Sequence, residues 1–258
     1  MRLCRFTSPE FPEPRAAILE GDVLHVLPGD IHNAAGLGPR SPQVTARVPL
    51  ATARLLAPVE PSKVVGVGLN YRAHAQEMGK ALPDVPRLFI KPSTAVIGPG
   101  DVIVRPPESQ RVDHEGELGV VIGKRARKLT AENALSYVLG YTCANDVTAR
   151  DLQIADVQFT RGKGFDTFCP LGPWVETELD PNALKVELRV NGQTRQSGST
   201  ADMVHSVVQL LVFITGIMTL LPGDVIATGT PAGVGPLLPG DRVEVEIQGI
   251  GVLQNRVE

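Results

Sequence analysis

In Val112-Asp113-His114-Glu115-Gly116-Glu117-Leu118-Gly119-Val120-Val121-Ile122 an acidic stretch runs directly into an apolar one, so carboxylates are carried toward a buried core. Read as a strand, residues two apart share a face. Glu115 and Glu117 then project together, while His114 and Gly116 point the other way. Two carboxylates so placed repel unless a proton or a cation joins them. A third, Asp146, ends the strand-like run Tyr141-Thr142-Cys143-Ala144-Asn145-Asp146. Three oxygen donors suit Mg²⁺, Mn²⁺ or Ca²⁺ rather than zinc. Asp113 shares the face but lies further toward the loop and reads as surface charge. A Glu-x-Glu pair is more often solvated or salt-bridged than metal-bound, so the reading needs support from other segments.

His74 and Glu77, in Asn70-Tyr71-Arg72-Ala73-His74-Ala75-Gln76-Glu77, are three apart, which on a helical turn places them on one face. A carboxylate beside an imidazole orients the ring and raises its basicity, an arrangement suited to activating water or moving a proton. Lys163 in Arg161-Gly162-Lys163-Gly164 reads as a lysine in a Gly-flanked loop, able to meet a substrate carboxylate or a developing enolate. The run Gly223 to Gly235 is Gly-rich but lacks the Gly-Lys-Ser/Thr of a phosphate loop, and Pro231 interrupts its backbone donors. It reads as a loop that lets the backbone approach a small acid.

These residues need a scaffold of short strands. Val64 to Gly68, Leu88 to Ile90, Asp101 to Val104 and Glu117 to Ile122 are β-branched or apolar and bounded by Gly or Pro. Pro-Gly-Asp recurs at Pro28, Pro99, Pro222 and Pro239, turn chemistry rather than a sequence repeat. Asn191-Gly192 predicts a hairpin. Helices are expected from a Thr130 cap through Tyr137 and over Met203 to Ile217. The stretch Val207 to Leu221 is read as a buried helix, too short and interrupted to span a bilayer. Residues 1 to 60 read as a small separate α/β unit, with strands at Ala16 to Leu19 and Val23 to Val26, a loop rich in Gly, Pro and Ala, and an exit bracketed by Pro58 and Pro61. Residues 61 to 258 form the main domain, and the fold class is α+β, mostly β.

A net charge of -3 leaves no electrostatic footprint for nucleic acid, and the one basic run, Lys124 to Lys128, lacks interleaved aromatics and reads as a solvated turn. Three scattered cysteines, Cys4, Cys143 and Cys169, are too few for a disulfide framework or a zinc site. No apolar leader follows Met1. The expectation is a cytoplasmic protein with neither membrane nor nucleic-acid partners.

Four ordered motifs tie these pieces together: Gly66-x-Gly68-x-Asn70-Tyr71-x-x-His74, then Glu115-x-Glu117, then Asn145-Asp146-x-Thr148-Ala149-Arg150-Asp151-x-Gln153, then Thr228-Gly229-Thr230-Pro231-x-Gly233-Val234-Gly235. Over about residues 62 to 258 the chain resembles the fumarylacetoacetate hydrolase family. The resemblance implies a mixed β-sandwich roll, a homodimer, and Mg²⁺ or Mn²⁺ on Glu115, Glu117 and Asp146. It implies a water-activating or proton-shuttling pair in His74 and Glu77, with Lys163 beside them, and substrate groups in Arg72, Arg150, Gln153 and Thr230. The implied substrate is a small enolisable 2-oxo (di)carboxylic acid reacting through a metal-stabilised enolate. Isomerisation or decarboxylation of a 2-hydroxyhepta-2,4-diene-1,7-dioate type acid is the leading expectation. Hydrolysis of an acylpyruvate, decarboxylation of oxaloacetate, and a metal-stabilised binding protein of the same fold are the alternatives. The far end of a substrate is expected at the loop Lys80 to Arg87.

Overall fold

The apolar run after Glu117 forms a strand buried along its whole length, as a strand covered on both faces must be, and the rest of the fold is arranged around it. A computed structural model describes residues 1–29, 31 and 44–258. The first strands are β1 (Arg2–Thr7), β2 (Arg15–Glu20), β3 (Val23–Val26), β4 (Ala46–Pro49), β5 (Arg54–Leu56), β6 (Lys63–Gly68) and β7 (Arg87–Pro92). Then come β8 (Val96–Ile97), β9 (Val102–Ile103), β10 (Val112–His114), β11 (Gly116–Ile122), β12 (Val138–Asn145), β13 (Thr148–Ala149) and β14 (Cys169–Glu176). The last are β15 (Lys185–Val190), β16 (Gln193–Ser199), β17 (Val225–Ala227), β18 (Gly235–Pro236), β19 (Arg242–Ile247) and β20 (Gly251–Val257). The described α-helices are α1 (Arg72–Glu77), α2 (Arg150–Ala155), α3 (Thr160–Lys163) and α4 (Val207–Ile217).

A 12-stranded mixed sheet runs β4-β3-β2-β1-β14-β12-β11-β17-β6-β7, with β5 beside β1 and β8 beside β14. A five-stranded sheet, β16-β15-β19-β20-β9, packs across its centre, and a three-stranded sheet, β13-β10-β18, closes one end. Leu118, Cys143, Leu188 and Val245 belong to the apolar core shared by the two larger sheets. Gly116 lets them close up: a Cβ there would stand 3.2 Å from Leu188. The mostly-β mixed-sheet architecture agrees with the expected fold class, and none of the described helices is long and apolar enough to cross a membrane.

Three Pro-Gly-Asp turns share one device: Asp101, Asp224 and Asp241 each accept the backbone N–H three residues earlier. The glycines at 100, 223 and 240 take positive φ. The Pro28 turn and the Gly/Pro/Ala-rich loop run into residues outside the described ones. The Asn191-Gly192 hairpin joins β15 to β16, both residues at positive φ.

The helices depart from expectation. The Thr130 helix is only a 3₁₀ turn over Ala134–Tyr137, entered through a turn in which the Asn133 side chain accepts the Thr130 N–H and the Thr130 carbonyl accepts the Ala134 N–H. The helix expected from Met203 begins at Val207, where Ser206 and Gln209 form a capping box, and it ends at Ile217, itself exposed. Residues to Leu221 therefore do not extend the helix.

Candidate functional site

Glu115 sits at the break between β10 and β11, where the chain leaves the three-stranded sheet for the large one. The Asn145 side chain accepts its N–H, and its carbonyl accepts that of Asp146, so the switch point locks Glu115 to the end of β12. Glu117, two residues on, opens on the same cavity. On the opposite side, Gln196 Oε1 accepts the Gly116 N–H and meets His114 Nδ1, the alternation a strand requires. The carboxylates of Glu115, Glu117 and Asp146 each bring one oxygen within 4.8 Å of the others, and all three are buried.

Cations fill much of this cluster. Lys163 Nζ donates to Glu115 at 2.8 Å and to Asp146 at 2.5 Å, Lys91 Nζ donates to Asp146 at 2.6 Å, and Arg150 donates to Glu115 and Asp113. Burial alone would raise the Glu115 pKa, but Lys163 and Arg150 more than offset it and hold the carboxyl well below its usual range. Among the described residues Glu117 has only the Gly229 N–H, at 2.8 Å. Burial, then Asp146 and Glu115, push it well above the ordinary carboxylic range. One carboxylate of the three has no ion-pair partner among the described residues, and the set is all-oxygen. Those two features fit a hard divalent cation held by Glu115, Glu117 and Asp146.

On another wall, His74 Nδ1 meets Glu77 Oε2 at 3.0 Å, while Glu77 Oε1 accepts the Gly233 N–H at 2.9 Å. The ring lines the cavity and Glu77 stands behind it. Asn70 anchors this element: fully buried, it donates to the carbonyls of His205 and Thr228 and accepts the His205 N–H. Gly229, at φ +97°, is required there because a Cβ would come 2.7 Å from Asn70. The Gly-rich loop thus spends two backbone donors on Glu117 and Glu77, rather than holding both for a small acid.

Of the expected site residues, His74, Glu115, Glu117 and Asp146 line one cavity together with Arg150, Gln153, Lys163 and Thr230. Arg72 does not. It is exposed on α1, two residues from His74 and so about 200° around the helix. Lys163 stands on α3 rather than in a loop, and burial places its ammonium over the Phe89 ring, 4.9 Å from the centroid. Asp113 is fully buried, not surface charge. It orients Arg150, as its position on the carboxylate face of the strand could have indicated. Lys91 and Gln196, both fully buried, were not anticipated. Lys91 carried a signal, a lone cation in the apolar strand Leu88-Phe89-Ile90-Lys91. Gln196 carried none, since its partners lie 34 and more residues away.

Comparison with known proteins matches residues 63–258 to the model described as fumarylacetoacetate (FAA) hydrolase C-terminal, and residues 1–58 to one described as Rv2993c-like, N-terminal. An uncharacterised Archaeoglobus fulgidus protein is 56% identical over 81% of this chain and 83% of its own. The rat mitochondrial oxaloacetate tautomerase Fahd2a is 40% identical, covering 100% of this chain and 91% of its own. The crystal structure of 2-hydroxyhepta-2,4-diene-1,7-dioate isomerase from Mycobacterium marinum aligns over 100% of this chain and 98% of its own, with TM-score 0.89 and 43% identity. Since the matched region holds every side chain that lines the cavity, the chain belongs to the fumarylacetoacetate hydrolase family.

Proposed function

We propose that this family enzyme interconverts the enol and keto forms of a 2-oxo dicarboxylic acid, an isomerase in which one proton moves and no group leaves. The observation that carries the reading is that His74, backed by Glu77, and the cationic side chains Lys163 and Arg150 border the same carboxylate-lined cavity. A Mg²⁺ or Mn²⁺ ion held by Glu115, Glu117 and Asp146 would supply Lewis-acid charge withdrawal from the 2-oxo end. Glu77 fixes Nδ1 of the His74 ring, leaving Nε2 as the nitrogen that exchanges protons. In the ketonising direction the enol O–H bond breaks and a C–H bond forms along the conjugated chain. His74 carries the proton, and Lys163 and Arg150 stabilise negative charge on the oxygen between the two events. The similarity to an oxaloacetate tautomerase and to a dienedioate isomerase supports proton movement as the common step.

The same imidazole could deliver water to a γ-ketone instead of moving a proton, so hydrolysis is the competing reading. Following enol absorbance of 2-hydroxydienedioate and oxaloacetate with Mg²⁺ or Mn²⁺, alongside product release from acylpyruvates, separates the two. Faster ketonisation without cleavage or CO₂ release is expected. Acylpyruvate cleavage alone would replace isomerisation with hydrolysis. No turnover of any acid would leave a cation-stabilised binding protein.

A further inference from the structure

We infer that Lys80 and Arg87 form an anion subsite at the mouth of the cavity, taking the far carboxylate of a linear dicarboxylic acid of six or seven carbons. The inference rests on the proposed reading only for which end of the acid reacts. Strand β7 supplies a ruler. Its alternate residues Arg87, Phe89 and Lys91 share a face. Lys91 reaches Asp146 at the cavity floor, Phe89 lies beneath Lys163, and Arg87 stands at the outer end.

Arg87 and Lys80 line both the inner cavity and a broader groove outside it. Backbone features set where each side chain starts. The Arg87 stem passes over Gly68, 3.7 Å from where a Cβ would stand. Lys80 leaves α1 through a helix-ending turn in which its N–H donates to the Ala75 carbonyl and Gly79 takes φ +61°. The cations deeper in the site each pair with a carboxylate of the cluster. Among the described residues Lys80 and Arg87 have no such partner, and the groove's own carboxylate, Asp156, is taken by Arg161. Two unpaired cations flanked by Met78, Phe89 and Phe159 suit a carboxylate on an apolar chain.

Length selects among diacids. Phe89, level with the inner charges, and Arg87 are two strand positions apart, about 6.6 Å. With C–C bonds of about 1.5 Å at tetrahedral angles, roughly 1.25 Å of reach per bond, the carboxyl carbons of a four-carbon diacid are at most about 3.8 Å apart. For a seven-carbon diacid the limit is about 7.5 Å, which spans the step.

Calorimetry with Mg²⁺ on the full chain tests this with 2-oxoheptanedioate, 2-oxoheptanoate and 2-oxopentanedioate. The seven-carbon diacid should bind about tenfold more tightly than either other acid. Arg87→Ala and Lys80→Ala should each reduce that ratio several-fold, and the double variant should abolish it. A ratio near one in the native protein, or one that survives the double variant, overturns the subsite, as does no binding of any acid. Because binding is read rather than turnover, a diacid preference without enol-keto conversion removes the proposed reaction and leaves the subsite standing. Conversion without the preference does the reverse.

Discussion

Glu117 carries the imbalance of the cluster: Glu115 and Asp146 each have ammonium or guanidinium partners, while Glu117 has a single backbone donor. Replacing it with glutamine removes a buried carboxyl whose ionisation burial, Asp146 and Glu115 oppose, and keeps the shape. Glu117→Gln should therefore melt at a higher temperature than the native protein without divalent cation. It should also lose most of the stabilisation that Mg²⁺ or Mn²⁺ provides, about 2.7 kcal/mol at a hundredfold excess over Kd. Thermal melts across a cation titration measure both, and an undiminished cation response would exclude Glu117 as a ligand. His74 makes a separate claim. His74→Asn should lower kcat for ketonisation by about 10² to 10⁴ with the fold intact. Glu77→Gln, which can still accept the Gly233 N–H, should lower it less. Equal loss in both would mean that Glu77 does more than orient the ring.

At the level of elements, the alternation of Glu115 and Glu117 could be read in the chain, because period-two spacing is local. The break between β10 and β11 could not, because the strand changes partners there, from β13 and β18 to β12 and β17. The same limit hid α3: four residues, Thr160–Lys163, stopped by Gly164 have no helical period to detect. Close packing of β6 on β7 makes a test. A Cβ on Gly66 would lie 2.1 Å from the Phe89 ring, so Gly66→Ala should cost about 1 to 3 kcal/mol in a denaturant melt, with much of it recovered when Phe89→Leu is added. On the five-stranded sheet, Arg189 bridges Glu187, Glu244 and Glu246. Hydrogen bonds from Lys185 and Arg189 hold Glu187 below its usual pKa; Arg242 and Arg189 do the same for Glu244 against burial. A depressed carboxyl pKa contributes stability above the unfolded value, and that contribution fades as pH falls through the folded one. Arg189→Ala should therefore lower stability by about 1 kcal/mol at neutral pH, and the difference should shrink below about pH 4.

For the whole molecule, composition suggested that the first 60 residues stand apart, and two family models divide the chain near the same place. The strand pairing joins the two parts. β1 is bonded along its length to β2 on one edge, and on the other to β14 at its start and β5 at its end, and the Met1 ammonium meets Glu176 at 2.6 Å. Leu3, Ile18, Leu27 and Val59 share one apolar cluster with Val64, Val121 and Val225, the last three from strands that carry or flank the site. Such sharing is invisible to composition, because apolar residues that fill a private core and those that complete a neighbour's core look alike. Removing residues 1–58 would expose the β14 edge and uncover that cluster. Each fully buried Leu or Ile contributes about 1.5 to 3 kcal/mol, so the 59–258 fragment should melt more than about 10 °C below the full chain or aggregate through its bared edge. Melting and sedimentation of the fragment beside the full chain decide it. A fragment that stays monodisperse, melts within a few degrees and keeps its cation response would make residues 59–258 a domain that stands without the first 58, with the continuous sheet only a contact surface between them.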